Sequence, residues 1–292
     1  MTFAPKLKTN EFFAKNADQV VEIDGEILGR INSLKGKDLT IKLGNTTKIE
    51  GSFSSRNLTK KTEAFLDFKL KNLESDMQTL RLLIPGFNPP RNFDKIGKFN
   101  FNGKFLGFFI DFVADGNLET ELGTANTDMR MNLREGKERA QYSGNLTLKD
   151  FDLGAWTDNE QLGRVSMNTS VKNGQGLTIE TVEAEIGGAI SSISFKDYNY
   201  QNIILDGALK RNLFDGKLNI RDDNIDLNFD GAVDFTDSIP QFDFDAQVAK
   251  LDIKKLNLSD QDLVLKGDTE ILLSGSSSVS YTHLTLPTIY SV

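Results

Sequence analysis

Asp226-x-Asn228-x-Asp230-Gly231 is the stretch whose side-chain types and spacing come nearest to a known chemistry. It reproduces the first half of an EF-hand calcium loop, with Val233 and Asp237 at the hydrophobic and closing-ligand positions. Three features count against an ion. The closing residue is Asp where a bidentate Glu is required, the flanks read as strands, and Leu227 and Phe229 interleave with the acidic positions at period two. Any acidic strand face gives that spacing, so no metal site is assigned. The phosphate-loop pattern fails as well: Gly97 and Gly103-Lys104 are wrongly spaced, and Phe105 stands where Ser or Thr would bind magnesium. The chain has no cysteine and a single histidine, His283. Thiol chemistry is thereby removed, and the Ser–His pair goes too once His283 is set aside with the tail described below. Carboxylates are abundant but none sits in an acid/base context, so neither catalysis nor a cofactor is expected. A net charge of −8 excludes nucleic acid as the main partner, because phosphate binding needs clustered Lys and Arg.

The elements that carry these residues are strands. Ile225, Leu227, Phe229, Val233 and Phe235 alternate with Asn224, Asp226, Asn228, Asp230 and Asp234, which marks a half-buried strand over Asn224–Phe235. Gln241–Val248 repeats the pattern with Phe242 and Phe244 on the apolar side. Lys98–Phe109 places Phe99, Phe101, Phe105 and Phe109 on one face, with Gly103 and Gly107 between them. Further strands are expected at Val20–Ile27, Asp38–Leu43, Glu63–Leu70, Gly116–Leu122, Tyr142–Leu148, Leu177–Ala184, Asn202–Leu209 and Gly216–Ile220. Ser75 and Gln78 form a capping-box start for a helix over Ser75–Ile84, stopped by Pro85, and a second short helix is expected near Lys6–Ala14. Phe is used 21 times against 5 Tyr and 1 Trp, so the aromatic content is apolar mass without polar handles.

The strands recur as a repeat. Glu22–Gly29 matches Phe99–Gly107 around its glycines, Asp38–Gly44 matches Asn117–Gly123, and a weaker third copy aligns Gly163–Leu177 with Gly25–Leu39. Repeat units of about 3–95, 96–160 and 161–278 are expected within one repetitive domain over 1–278. The last fourteen residues differ from the rest. From Val279 to Val292 there is no charge, and the lone histidine lies here. Val279–Thr288 back-translates into a string similar to the adapter of transposase-based sequencing libraries. Residues 279–292 are therefore expected to be an artefactual tail, peripheral or paired as an opportunistic strand, with no site around His283. Five Asn-x-Ser/Thr triplets, at Asn45, Asn57, Asn145, Asn168 and Asn257, are attributed to chance on polar strand faces.

At the level of segments the chain resembles the TamB (translocation and assembly module) family of the AsmA-like superfamily. The resemblance is carried by Glu63–Leu73 leading to Leu83–Gly86, by Ile96–Gly107, Asp115–Gly123, Tyr142–Leu146, Asp150–Gly154 and Tyr198–Gly207, and by Leu256–Leu258. It covers nearly all of residues 1–278, and its specificity lies in the ordered series. It implies an all-β fold, an elongated repetitive antiparallel sheet curled into a taco-like groove, with one or two short helices. It also implies a periplasmic segment of an inner-membrane-anchored envelope protein that shields phospholipid in transit between the two membranes. The other role implied is a scaffold, without lipid, for assembly or secretion of outer-membrane β-barrel proteins. The expected groove lining is Phe99, Phe101, Phe105, Phe109, Ile225, Leu227, Phe229, Val233, Phe235, Phe242 and Phe244. Membrane contact is expected through terminal regions of a longer parent, with this chain its middle fragment and Met1 internal. No stretch here approaches the roughly 18–20 apolar residues of a membrane helix, and the start has no signal-peptide pattern.

Overall fold

The computed structural model describes residues 20–30, 32–44, 46–57, 60, 63–83, 91–178, 180–236, 239–274 and 281–284. The chain divides into two compact units, one of residues 1–126 with 155–157 and one of residues 127–154 with 158–292. The expected all-β antiparallel class is what both units show. The first contains β1 (Val21–Arg30), β2 (Ser33–Leu43), β3 (Thr47–Arg56), β4 (Phe65–Asp76), β5 (Lys98–Phe108) and β6 (Asp111–Thr120). Each is paired antiparallel with its sequence neighbour. β7 (Gly123–Asn132) spans the division between the units. The second unit runs as β8 (Gln141–Asp152), β9 (Leu162–Gln175), β10 (Glu183–Phe195), β11 (Tyr198–Lys210), β12 (Leu213–Arg221), β13 (Ile225–Asp234), β14 (Gln241–Asp252), β15 (Val264–Ser274) and β16 (Tyr281–Leu284). It too is an antiparallel meander. The tail supplies β16, which pairs with β15.

The short helices lie in connections between strands: α1 (Met77–Leu83), a 3-10 helix (Arg91–Ile96) and α2 (Leu153–Thr157). Helix α1 forms where the sequence places it, but its cap differs. Asp76 is the capping residue, its Oδ1 accepting from Thr79 N at 2.7 Å and its Oδ2 from Thr79 Oγ1 at 3.0 Å. The Ser75 hydroxyl is instead buried against Thr47 Oγ1 at 2.7 Å. Ser75 is the last inward position of β4, so its side chain belongs to the sheet and the next residue caps the helix. Ile84, Pro85 and the expected helix near Lys6–Ala14 lie outside the described residues.

Two further expectations are corrected. Within the expected strand Leu177–Ala184 the chain turns back instead, with Thr181 N and Val182 N donating to Thr178 O at 3.1 and 2.8 Å and the two threonine hydroxyls 3.1 Å apart. β10 begins at Glu183. The third repeat copy falls on a different kind of element. Gly25–Leu39 spans a turn between β1 and β2, whereas Gly163–Gln175 is one uninterrupted strand, β9. The first two copies do correspond, since β1–β2 and β5–β6 are both hairpins.

Candidate functional site: the apolar face of the sheet

Period-two alternation sorts each strand into an apolar and a polar side. In the first unit the register puts Leu39 and Ile41 of β2, Ile49 and Phe53 of β3, Phe68 and Leu73 of β4, Phe99, Phe101 and Phe105 of β5, and Phe112 and Leu118 of β6 on one side. An aromatic row crosses it: Phe53 lies 5.9 Å from Phe68, Phe68 lies 6.4 Å from Phe105, and Phe105 stacks on Phe112 at 4.8 Å. In the second unit the pairing places Phe214 and Leu218 of β12, Ile225, Leu227, Phe229 and Val233 of β13, and Phe242, Phe244, Ala246 and Val248 of β14 on one side. Phe229 and Phe244 approach to 4.8 Å.

Nine of the eleven expected lining residues therefore sit on strand faces, Phe99, Phe101 and Phe105 in the first unit and the other six in the second. Phe109 and Phe235 do not. Phe109 opens the two-residue turn after β5, 47% exposed, because Phe108 already pairs with Asp111. Phe235 follows the end of β13 and is 53% exposed, though its ring meets Phe242 edge-on at 5.9 Å. Phe53, Phe68, Phe112 and Phe214 were not expected on the lining. Phe68 lay within an expected strand, and period-two counting from Leu66 would have found it.

Glycines on the apolar side let rings lie flat on the backbone. At Gly116 a Cβ would sit 2.5 Å from the Phe101 ring. At Gly231, where φ is +147°, a Cβ would meet Asp243 O at 2.4 Å and Phe244 Cα at 2.5 Å, so only glycine fits.

Most of the aromatic face stays half-buried, with Leu39, Leu66, Leu148, Phe151 and Val165 buried within the strands. Two caps add further deep burial. In the first unit Met77 and Leu80 of α1 and Ile96 of the 3-10 helix are buried at the end of the sheet that holds Leu43, Phe99 and the Thr47–Ser75 pair. Phe93 packs edge-on against Trp156 at 4.9 Å, and Lys95 Nζ donates to Trp156 O at 3.3 Å. In the second unit the connection from β14 to β15 folds back so that Leu256, 0% exposed, seals Ile203, Ile220 and Ile225. That loop is tied by Asn257 Nδ2 to Lys196 O at 2.9 Å and by Tyr200 OH to Leu256 O at 3.4 Å. Asp252 accepts from Lys255 N and Nζ, both at 3.1 Å, and these bonds hold its carboxyl below the ordinary Asp value.

Away from the β5–β6 hairpin the opposite side is mostly polar and internally paired. Lys48 meets Glu50 at 2.8 Å, and Lys217 meets Asp230 at 2.9 Å. The calcium-like residues are spent in this way: Asp226 pairs with Arg221 at 3.0 Å, and Asn228 Oδ1 accepts from Arg221 Nη2 at 2.6 Å. On an extended strand, alternate side chains stand about 6.6–6.8 Å apart, too far for three to converge on an ion with ligands at about 2.3–2.6 Å. Among the described residues, no three His, Cys, Asp or Glu are grouped to hold a metal ion. A polar cleft of about 460 Å³ lies beside Tyr198, Asn202, Arg221 and Asp222. There Asp222 accepts from the Tyr198 hydroxyl, Gln201 N and Asn224 N, and burial together with the Asp222 bond pushes Tyr198 up to about 12. Together the neutral Tyr198 hydroxyl and the Asp222 carboxylate, with its three donors, anchor a turn. Among the described residues, no helix is long and apolar enough to cross a membrane.

Comparison with protein-family models, curated proteins and solved structures returns no match to this chain.

Proposed function

We propose that this chain is a periplasmic segment of a TamB-like envelope protein, whose apolar sheet face shelters phospholipid acyl chains between the inner and outer membranes. One observation carries the reading. Ring after ring lies half-open on a face with no continuous cover among the described residues, while the other face, away from the β5–β6 hairpin, carries ion pairs. Full burial of a Phe is worth roughly 1.5–3 kcal/mol, so a row of half-open rings favours an apolar occupant. Acyl chains fit a surface that offers area and few polar contacts.

The test is Phe229→Asp in the full-length parent, with a photo-crosslinker at Phe244. Phe229 lies opposite Ala246, and an Asp there can be solvated when the face is empty. The variant is expected to fold and to lose lipid crosslinking. Unchanged crosslinking in a folded variant refutes the conduit. A scaffold for β-barrel assembly is favoured by one feature, β1: among the described residues it pairs with β2 alone, and Val21, Ile23 and Ile27 are 46–56% exposed. Such an edge can add a strand from another chain. Crosslinks from β1 to an unfolded barrel protein, without lipid on the face, would select that role.

A further inference from the structure

The first unit carries an apolar patch on the side that the lipid reading leaves polar. Around the β5–β6 hairpin the outer positions hold Phe65, Leu106, Phe108 and Val113. Leu106, 48% exposed, lies opposite Val113, 42% exposed. Phe108 lies opposite Phe65 with the rings edge to face at 5.3 Å, and the Arg56 guanidinium sits 4.9 Å from the Phe65 centroid. Phe109 and Ile110 alone join the two strands, 47% and 36% exposed. Two-residue hairpin turns favour Asn-Gly or Asp-Gly with positive φ, and neither residue here has it. The Phe-Ile pair thus serves neither the turn nor solubility.

We infer that this hairpin tip inserts into the interfacial region of a phospholipid bilayer. Size and charge select the occupant. The four exposed side chains leave roughly 350 Å² open, taking about 200 Å² for a fully exposed side chain of this size. Even with the partly exposed Phe65 and Phe108 added, the patch stays well below the roughly 800 Å² per partner of a stable protein interface. A bilayer sets no such minimum, because an apolar tip need only reach the headgroup–acyl boundary about 5–10 Å deep. Arg56 and Lys104 alternate with Asp67, Asp111 and Asp115 around the tip, so attraction to anionic headgroups is not the driver. Phe105 stacks on Phe112 on the inner side of the same hairpin, while Leu106 and Phe108 stand on its outer side. The inference rests on the lipid reading of the apolar face and extends it: the tip is where acyl chains cross between bilayer and sheet.

Phe109→Asn combined with Ile110→Gly supplies the turn a hairpin favours while removing the apolar tip. The full chain is floated with phosphatidylcholine vesicles at about 0.1 M and about 0.5 M salt, a range over which surface-charge attraction is strongly screened. The unmodified chain is expected to float equally at both, and the double variant to lose about tenfold in partitioning with unchanged circular dichroism. Equal flotation of the variant, loss of flotation at high salt, or self-association without flotation overturns the inference. Lipid retained by the purified chain, read by native mass spectrometry, separates the two proposals. Retained lipid without flotation overturns the tip alone. Flotation without retained lipid supports the tip and overturns the conduit.

Discussion

Leu256→Ala tests whether the caps, and not a continuous core, hold the sheet together. Leu256 is fully enclosed by Ile203, Ile220 and Ile225, each 5–7% exposed, with Leu218, Leu227, Leu251 and Tyr200 packed around them. Leu→Ala at enclosed sites costs about 2.7–5.0 kcal/mol, less where the surroundings collapse into the gap. Collapse is restricted here because the loop is fixed by Leu256 N to Asp252 O at 3.1 Å and by Asn257 to Lys196. A loss of about 3 kcal/mol follows. With a urea slope of about 1–3 kcal/mol/M, the midpoint should fall by roughly 1–3 M. Far-ultraviolet circular dichroism follows the sheet, and tyrosine fluorescence follows Tyr198 and Tyr200 beside the cap. Leu258→Ala, at a site 43% exposed, is the control and should cost under about 0.5 kcal/mol. If the two variants shift the midpoint equally, the cap is not what stabilises this end of the sheet.

Gly231→Ala should destabilise the chain by roughly 2 kcal/mol, since a Cβ would strike the backbone of β14 from a φ that L residues rarely adopt; an unchanged melting temperature would refute the close approach. Asp252→Asn should lower the urea midpoint at pH 7, because the carboxylate is held ionised by Lys255. Its folded pKa lies below the unfolded value near about 3.9, so the advantage of Asp is present above that value and disappears as the pH falls through the lower one. A gap between variant and parent that persists unchanged in strong acid would assign the effect to shape instead of charge.

Strands with unbroken alternation were legible in the sequence. β5, β13 and β14 begin within a residue of expectation, because Phe, Ile and Leu fill the inner positions and charges fill the outer ones. β3, β7, β9 and β15 were missed, and β10 was expected only at Glu183 and Ala184. β3 spends inner positions on Thr47, Gly51 and Ser55, and β9 interrupts its apolar side with Thr169, so the counted signal vanishes although the pairing survives. The apolar strand face was legible where strands were; Phe109 and Phe235 fall outside it, because they continue the alternation one residue past the last ladder pair. The caps were hidden for a different reason. Leu256 stands in the polar run Lys254-Lys255-Leu256-Asn257, and nothing local says that this leucine closes over three isoleucines distant in sequence.

Because every described strand within a unit pairs with its sequence neighbours, each hydrogen bond of the ladder closes a short segment of chain. Even the widest ladder span recorded in the first unit, Phe65 to Phe108, encloses only one helix-bearing connection. Such a polypeptide can zip up from its leading end while the remainder is still being threaded out of a ribosome or a secretion channel. No strand has to wait for a distant partner, and local closure of this kind favours fast folding. The same wiring makes length a free parameter. A hairpin gained or lost by gene duplication alters the span of the sheet while leaving the neighbouring pairs intact.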